Sequence, residues 1–285
     1  MSSLANTDST FPKVRTWWLI PVFLFGLSFG VFIFPDTHVA LQEVASDLFV
    51  LLSLYLFCRI YGIKVGRVVG RARGFISLLR PSLLVVPPLL MLSLGLIFTL
   101  PWLLSYVAPA FVETWILSEF NADEATSPVS GVVTFILIVT LVPIYEEFLF
   151  RGLLLHRWSQ KWGLRRGMVF SSLAFGVLHF DLIGAFVFGY VMCILYLKTQ
   201  TLLVPIVAHV INNAVAGTPE LIDAVSGMSV SGDALTLADL RSGWFFGVAC
   251  LFLATFWLTI YLKKNRVSDT STLPYSANSP KSEVL

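Results

Sequence analysis

The chain has 285 residues, of which 56% are hydrophobic and 13% charged, with a mean hydropathy of +0.82 and a net charge of +2. An ordinary soluble domain is about 45–50% apolar and about 25% charged, and a globule of this length cannot hide so much apolar surface. Composition thus excludes a cytosolic enzyme, a disordered chain and a collagen-like one, and so small a net charge gives no reason to expect nucleic acid as a partner.

What remains is an all-α fold, a polytopic membrane helical bundle. Solid apolar blocks at 131–144 and 244–262 argue against a membrane β-barrel, whose strands alternate apolar and polar residues. A spanning helix needs about 20 apolar residues. In chain order, eight transmembrane helices are expected at 17–34, 39–61, 83–107, 132–155, 167–180, 182–197, 202–216 and 244–262, with Pro87, Pro88 and Pro101 as kink points in the third. The fifth and sixth are short and meet at Asp181. A thinned bilayer or a water-filled cavity would accommodate them. The ends, 1–12 and 267–285, read as disordered tails. Between them, 13–125 holds the N-terminal helices and a basic loop, and 126–266 the later helices.

All but two of the 19 Lys and Arg residues fall at the termini or in alternate loops, which makes both termini cytoplasmic. The opposite loops are acidic instead, with Glu113, Glu119, Asp123 and Glu124, then Glu220, Asp223, Asp233 and Asp239. Gly62, Gly66, Gly70 and Gly74 are spaced as a helix-packing face, but the intervening Lys64, Arg67, Arg71 and Arg73 favour a basic segment resting on anionic headgroups. Gly26 and Gly30 match the same spacing in the first span. Cys58, Cys193 and Cys250 lie in apolar blocks and read as buried small hydrophobes.

An ionisable side chain at a span's centre costs about 2.5–3.5 kcal/mol on insertion scales, so such residues are candidates for function. Glu43 and Asp47 share one face of the second span, near its outer end, and read as a wet helix end. The fourth span carries Glu146, Glu147 and Arg151. Glu147 and Arg151, four apart, can neutralise each other, which leaves Glu146 facing another direction without a local partner. His179 closes the fifth span. His209 and Asn213 share a face of the seventh. Counted inward from their cytoplasmic loops, Glu146, His179 and His209 reach one layer near the middle of the bilayer. A carboxylate, two imidazoles and an amide suit attack of water on an amide carbonyl. Glu146, His179 and His209 are also a donor set able to bind zinc, and metal-bound and glutamate-activated water stay open as alternatives. Ser171 and Ser172 sit in no nucleophile motif.

In this order on separate spans, E-E-x-x-x-R at 146–151, F-x-x-x-H at 175–179 and H-x-x-x-N at 209–213 resemble the CPBP family. That family groups type II CAAX prenyl endopeptidases with bacteriocin-processing and self-immunity proteins. The resemblance covers about 140–216 and implies an eight-span membrane protease domain over 126–266. It implies that Glu146 activates water, His179 orients it, and His209 and Asn213 stabilise the oxyanion. Glu147 and Arg151 would be a supporting pair, and Phe175 a packing residue. No cofactor would be required, with zinc the alternative. Membrane lipids and a membrane-anchored or prenylated peptide would be the partners. A scaffold or immunity protein retaining the fold is the rival reading, and a proton-coupled transporter a further one, although no internal repeat is evident. Without a transit-like leader, the expected setting is a prokaryotic plasma membrane.

Overall fold

The computed structural model describes residues 11–35, 38–118, 128–226 and 235–280. Glu119, Asp123, Glu124 and Asp233 of the expected acidic loops lie outside them, as do the ends 1–10 and 281–285. All regular structure among the described residues is helical. Among the described residues, six helices are long and apolar enough to cross a membrane: Thr16–Ile33, Val39–Ile60, Phe75–Val107, Pro128–Trp162, Leu182–Thr199 and Trp244–Lys264. Leu203–Ala216 is apolar but shorter, and Leu164–Gly176, where a fifth span was expected, has 13 residues. The chain is thus a multi-pass integral membrane protein. The three cysteines are buried and free.

Helices α1 (Leu19–Ile33) and α2 (Val39–Ile60) pack as a hairpin. A Cβ on Gly26 would come 2.6 Å from Val50, and one on Gly30 would overlap the backbone of Gln42. The G-x-x-x-G face of α1 therefore lets the two backbones touch. The second glycine series behaves differently. Only a short helix, α3 (Val65–Val69), forms within it, and Cβ atoms on Gly62, Gly66 and Gly74 would meet no neighbour. It is a basic connecting segment, docked at Gly70, where a Cβ would overlap the Gln200 carbonyl.

Helix α4 (Phe75–Val107) starts well before residue 83 and runs through Pro81, Pro87, Pro88 and Pro101 without interruption. Proline is tolerated in membrane helices because surrounding helices re-satisfy the freed carbonyls. Helix α4 packs against α9 (Leu182–Thr199), α10 (Leu203–Ala216) and α13 (Trp244–Lys264). Ser82 Oγ also donates to the Val204 carbonyl of α10 at 3.2 Å.

The expected fourth span is broken into pieces. Helix α5 (Pro128–Val139) ends at Thr140, whose φ/ψ of −114°/−71° departs from the helix. Pro143 just beyond lacks the N–H that the Val139 carbonyl would take. Helix α6 (Leu141–Glu147) passes into a π-helical turn, Phe148–Leu154, and then α7 (Leu155–Trp162). Gly163, at φ +87°, turns the chain into α8 (Leu164–Gly176). Two short helices follow α10, α11 (Thr218–Ser226) and α12 (Leu237–Ser242).

The tails depart from expectation. The described part of 267–285 is docked, with Leu273 and Tyr275 buried and a short helix, α14 (Pro274–Ala277). The Tyr275 N–H donates to His156 Nε2 at 3.2 Å, and His156 Nδ1 lies 3.1 Å from the Arg151 carbonyl. Phe11, expected within the N-terminal tail, stacks on the His156 ring at 5.0 Å and is 3% exposed. Polar composition suggested disorder, but partners more than a hundred residues away supply the order.

Candidate active site

The π-helical turn begins directly after Glu147, and it is here that the two carboxylates and Arg151 are presented to the bundle interior. Arg151 Nη1 donates to Glu147 Oε1 at 2.8 Å, and both side chains are fully buried. This is the pair that their spacing implied. A buried ion pair persists only where geometry and further contacts offset desolvation. Two such contacts exist. His209 Nδ1 from α10 lies 2.9 Å from the same Glu147 oxygen, and the guanidinium sits 4.6 Å above the Phe175 ring of α8. A desolvated cation over an aromatic face gains about 2 kcal/mol or more.

Glu146 points elsewhere. Its Oε2 lies 3.7 Å from His209 Nε2, beyond hydrogen-bond range, and has no partner within the protein. Glu146 is 9% exposed. His209 therefore stands between two adjacent carboxylates, bonded to one and in contact with the other.

Phe175 is the hub. Its ring centroid is 4.3 Å from that of His179, 5.8 Å from that of His209 and 5.7 Å from that of Phe188. His179 itself lies just past the end of α8, in the turn before Asp181, rather than inside the helix. Asp181 caps α9 by accepting from the Gly184 N–H at 2.9 Å. Glu146 and His179 are about equally distant in sequence from the Gly163 turn, so the α7–α8 hairpin returns them to one level.

Hydrogen-bond partners fix both imidazole tautomers. His179 Nδ1 lies 2.8 Å from the Phe175 carbonyl, which can only accept, so Nδ1 carries the hydrogen. His209 Nδ1 faces a carboxylate and carries its hydrogen for the same reason. In the neutral ring, Nε2 of each is then a lone-pair acceptor. As an oxyanion donor, His209 would have to be imidazolium.

Asn213 stands one turn from His209 on α10 but contacts neither glutamate. Its Nδ2 donates to the Ile138 carbonyl at 2.8 Å, beside the break between α5 and α6. One amide hydrogen is thus used and one remains. Among the described residues no group of three His, Cys, Asp or Glu is placed to hold a metal ion. Ser171 and Ser172 are buried with their hydroxyls donating to the Met168 carbonyl.

The wet-end reading of α2 fails for Asp47. It is 7% exposed and accepts from Tyr145 Oη at 3.0 Å, next to Glu146. Glu43, one turn away, accepts from Thr134 Oγ1 of α5 at 2.5 Å. The signal was present in the sequence, as two carboxylates sharing one face of a span, but their depth was judged from one helix end alone.

No curated protein and no solved structure matches the chain. Residues 128–215, from the start of α5 almost to the end of α10, do match a family model, and it is that of the type II CAAX prenyl endopeptidase Rce1-like family, the stretch that carries all three motifs.

Proposed function

We propose that the chain is an intramembrane endopeptidase that cleaves a membrane-anchored, CAAX-type prenylated peptide with a glutamate-activated water. The observation that carries this reading is the contrast between adjacent carboxylates. Glu147 Oε1 is held by both Arg151 and His209, with its Oε2 unpartnered, whereas Glu146 lies in the same buried layer with His209 3.7 Å away and no partner on its Oε2. The family match supports the reaction class.

Glu146 takes a proton from water as the hydroxyl adds to the amide carbonyl. The proton then passes from Glu146 to the leaving nitrogen as the C–N bond breaks. His179 Nε2, a lone-pair acceptor, orients the water. The spare amide hydrogen of Asn213 and the charged form of His209 stabilise the oxyanion. Val177, Leu178 and Phe180 flank His179 and are exposed, which gives a lipid-borne substrate an apolar rim beside the site. No step here runs through a metal.

The test is cleavage of an internally quenched farnesylated CAAX peptide by the purified protein in detergent, beside the same peptide without its prenyl group. Cleavage of the prenylated peptide that is lost in Glu146→Gln supports the reading. Cleavage of both peptides alike removes the prenyl requirement. No cleavage by folded wild type favours a scaffold or immunity role.

A further inference from the structure

The family motifs leave one buried ionisable cluster unused, and it lies on α2. Two carboxylate pairs bridge α2 to the helices that carry Glu146. Glu43 meets Thr134 on α5, and Asp47 meets Tyr145 on α6. The pairs advance in the same direction along both elements, so α2 runs parallel to α5 and α6. Burial is greater at Asp47 and Glu146 than at Glu43. Glu43 is half-buried, Asp47 is 7% exposed, and Glu146 is 9% exposed with Oε2 unpartnered. Asp47 is close enough to Glu146 for their charges to interact.

Interhelical adhesion alone does not call for two acids here. A hydroxyl or amide makes such contacts at lower insertion cost. Hydrolysis inside a bilayer also needs a route for its second substrate, water, to a carboxylate that lies in apolar surroundings. Buried polar groups in series, each with spare acceptor capacity, are what holds water in a protein interior.

We propose that Glu43, Thr134, Asp47 and Tyr145 line a hydrated path between α2, α5 and α6 that admits water to Glu146 from the end of the bundle where α2 and α5 begin. That end is opposite the arginine-rich segment following α2. The path rests on the hydrolase reading for its purpose but not for its existence. Glu43 and Asp47 are positioning residues in it, since neither touches the peptide or the reacting atoms.

The test is thiol accessibility in the membrane-embedded full chain, with Cys58, Cys193 and Cys250 replaced by alanine. Thr134→Cys and, on the same helix, the outward-facing Ile136→Cys are exposed to a small cationic methanethiosulfonate. Only a hydrated thiol ionises to the reactive thiolate, so Thr134→Cys is expected to react roughly tenfold faster or more. Equal rates overturn the path and reduce the pairs to adhesion. Asp47→Cys provides a second position, with the same expectation, should Thr134→Cys fail to fold. In the peptide assay, Glu43→Leu is expected to lower kcat about tenfold at unchanged KM, with Glu43→Gln restoring it. Labelling of Thr134→Cys in a protein that cleaves nothing would uphold the path and sink the hydrolase reading. Cleavage that depends on Glu146 while Thr134→Cys stays unlabelled would do the reverse.

Discussion

His209 Nδ1 lies 2.9 Å from Glu147 Oε1, the oxygen that also receives Arg151 at 2.8 Å. One carboxylate oxygen thus joins α6, the π-helical turn and α10, and Glu147 acts as the anchor that aims His209 at Glu146.

Arg151→Ala should strand Glu147 as a buried charge. Breaking a buried pair costs about 3–5 kcal/mol, so folding yield should fall along with turnover. Arg151→Met combined with Glu147→Gln should recover yield without recovering rate, because His209 loses its ionic anchor. Thermal melting of the purified variants checks this. A melting temperature for Arg151→Ala equal to that of wild type would sink it.

Phe175→Leu keeps an apolar side chain of similar reach but removes the ring beneath Arg151 and between the two imidazoles. The lost cation–π contact costs about 2 kcal/mol or more. With both histidines less constrained, kcat should fall further than KM rises. A variant with altered melting but normal kcat would confine Phe175 to packing.

Asn213→Ala removes the donor to the Ile138 carbonyl as well as the spare amide hydrogen. A fully buried orphaned acceptor costs about 1–3 kcal/mol, and this half-buried one less. Asn213→Ala and His209→Ala should therefore both depress kcat more than KM, with Asn213→Ala also less stable. A pure KM effect would assign these side chains to substrate binding.

Removing residues 268–280 should uncover His156 and Phe11, whose partner Tyr275 leaves with them. The expected outcome is a lower melting temperature and faster proteolysis at the N-terminal end. Protease digestion followed by mass spectrometry reads it, and an unchanged digestion pattern would show the docking to be dispensable.

Much of the helical layout was legible because apolar blocks of span length leave few alternatives. The Glu147–Arg151 pair was legible because spacing of four on a helix is a local rule. What escaped depends on contacts distant in sequence. The unbroken α4 packs against α9, α10 and α13, which are distant from it in sequence. The partner of Asn213, the Ile138 carbonyl, lies 75 residues away in the chain. Asp47 looked shallow because depth on α2 was counted without the packing of α5 and α6 against it. The tail from Val267 looked disordered because its buried apolar residues are few and the partners of Tyr275, among them Phe11, Lys64 and His156, lie more than a hundred residues away.

The most direct measurement is kcat of Glu146→Gln on the prenylated peptide, with and without a zinc chelator, in protein shown by circular dichroism to keep its helix content. A general base contributes about 10²–10⁴-fold, so turnover should fall by that factor, while wild type should keep its rate in chelator. Wild-type turnover by Glu146→Gln would contradict a glutamate-activated water, and loss of wild-type activity in chelator would move the reaction to a metal-bound one.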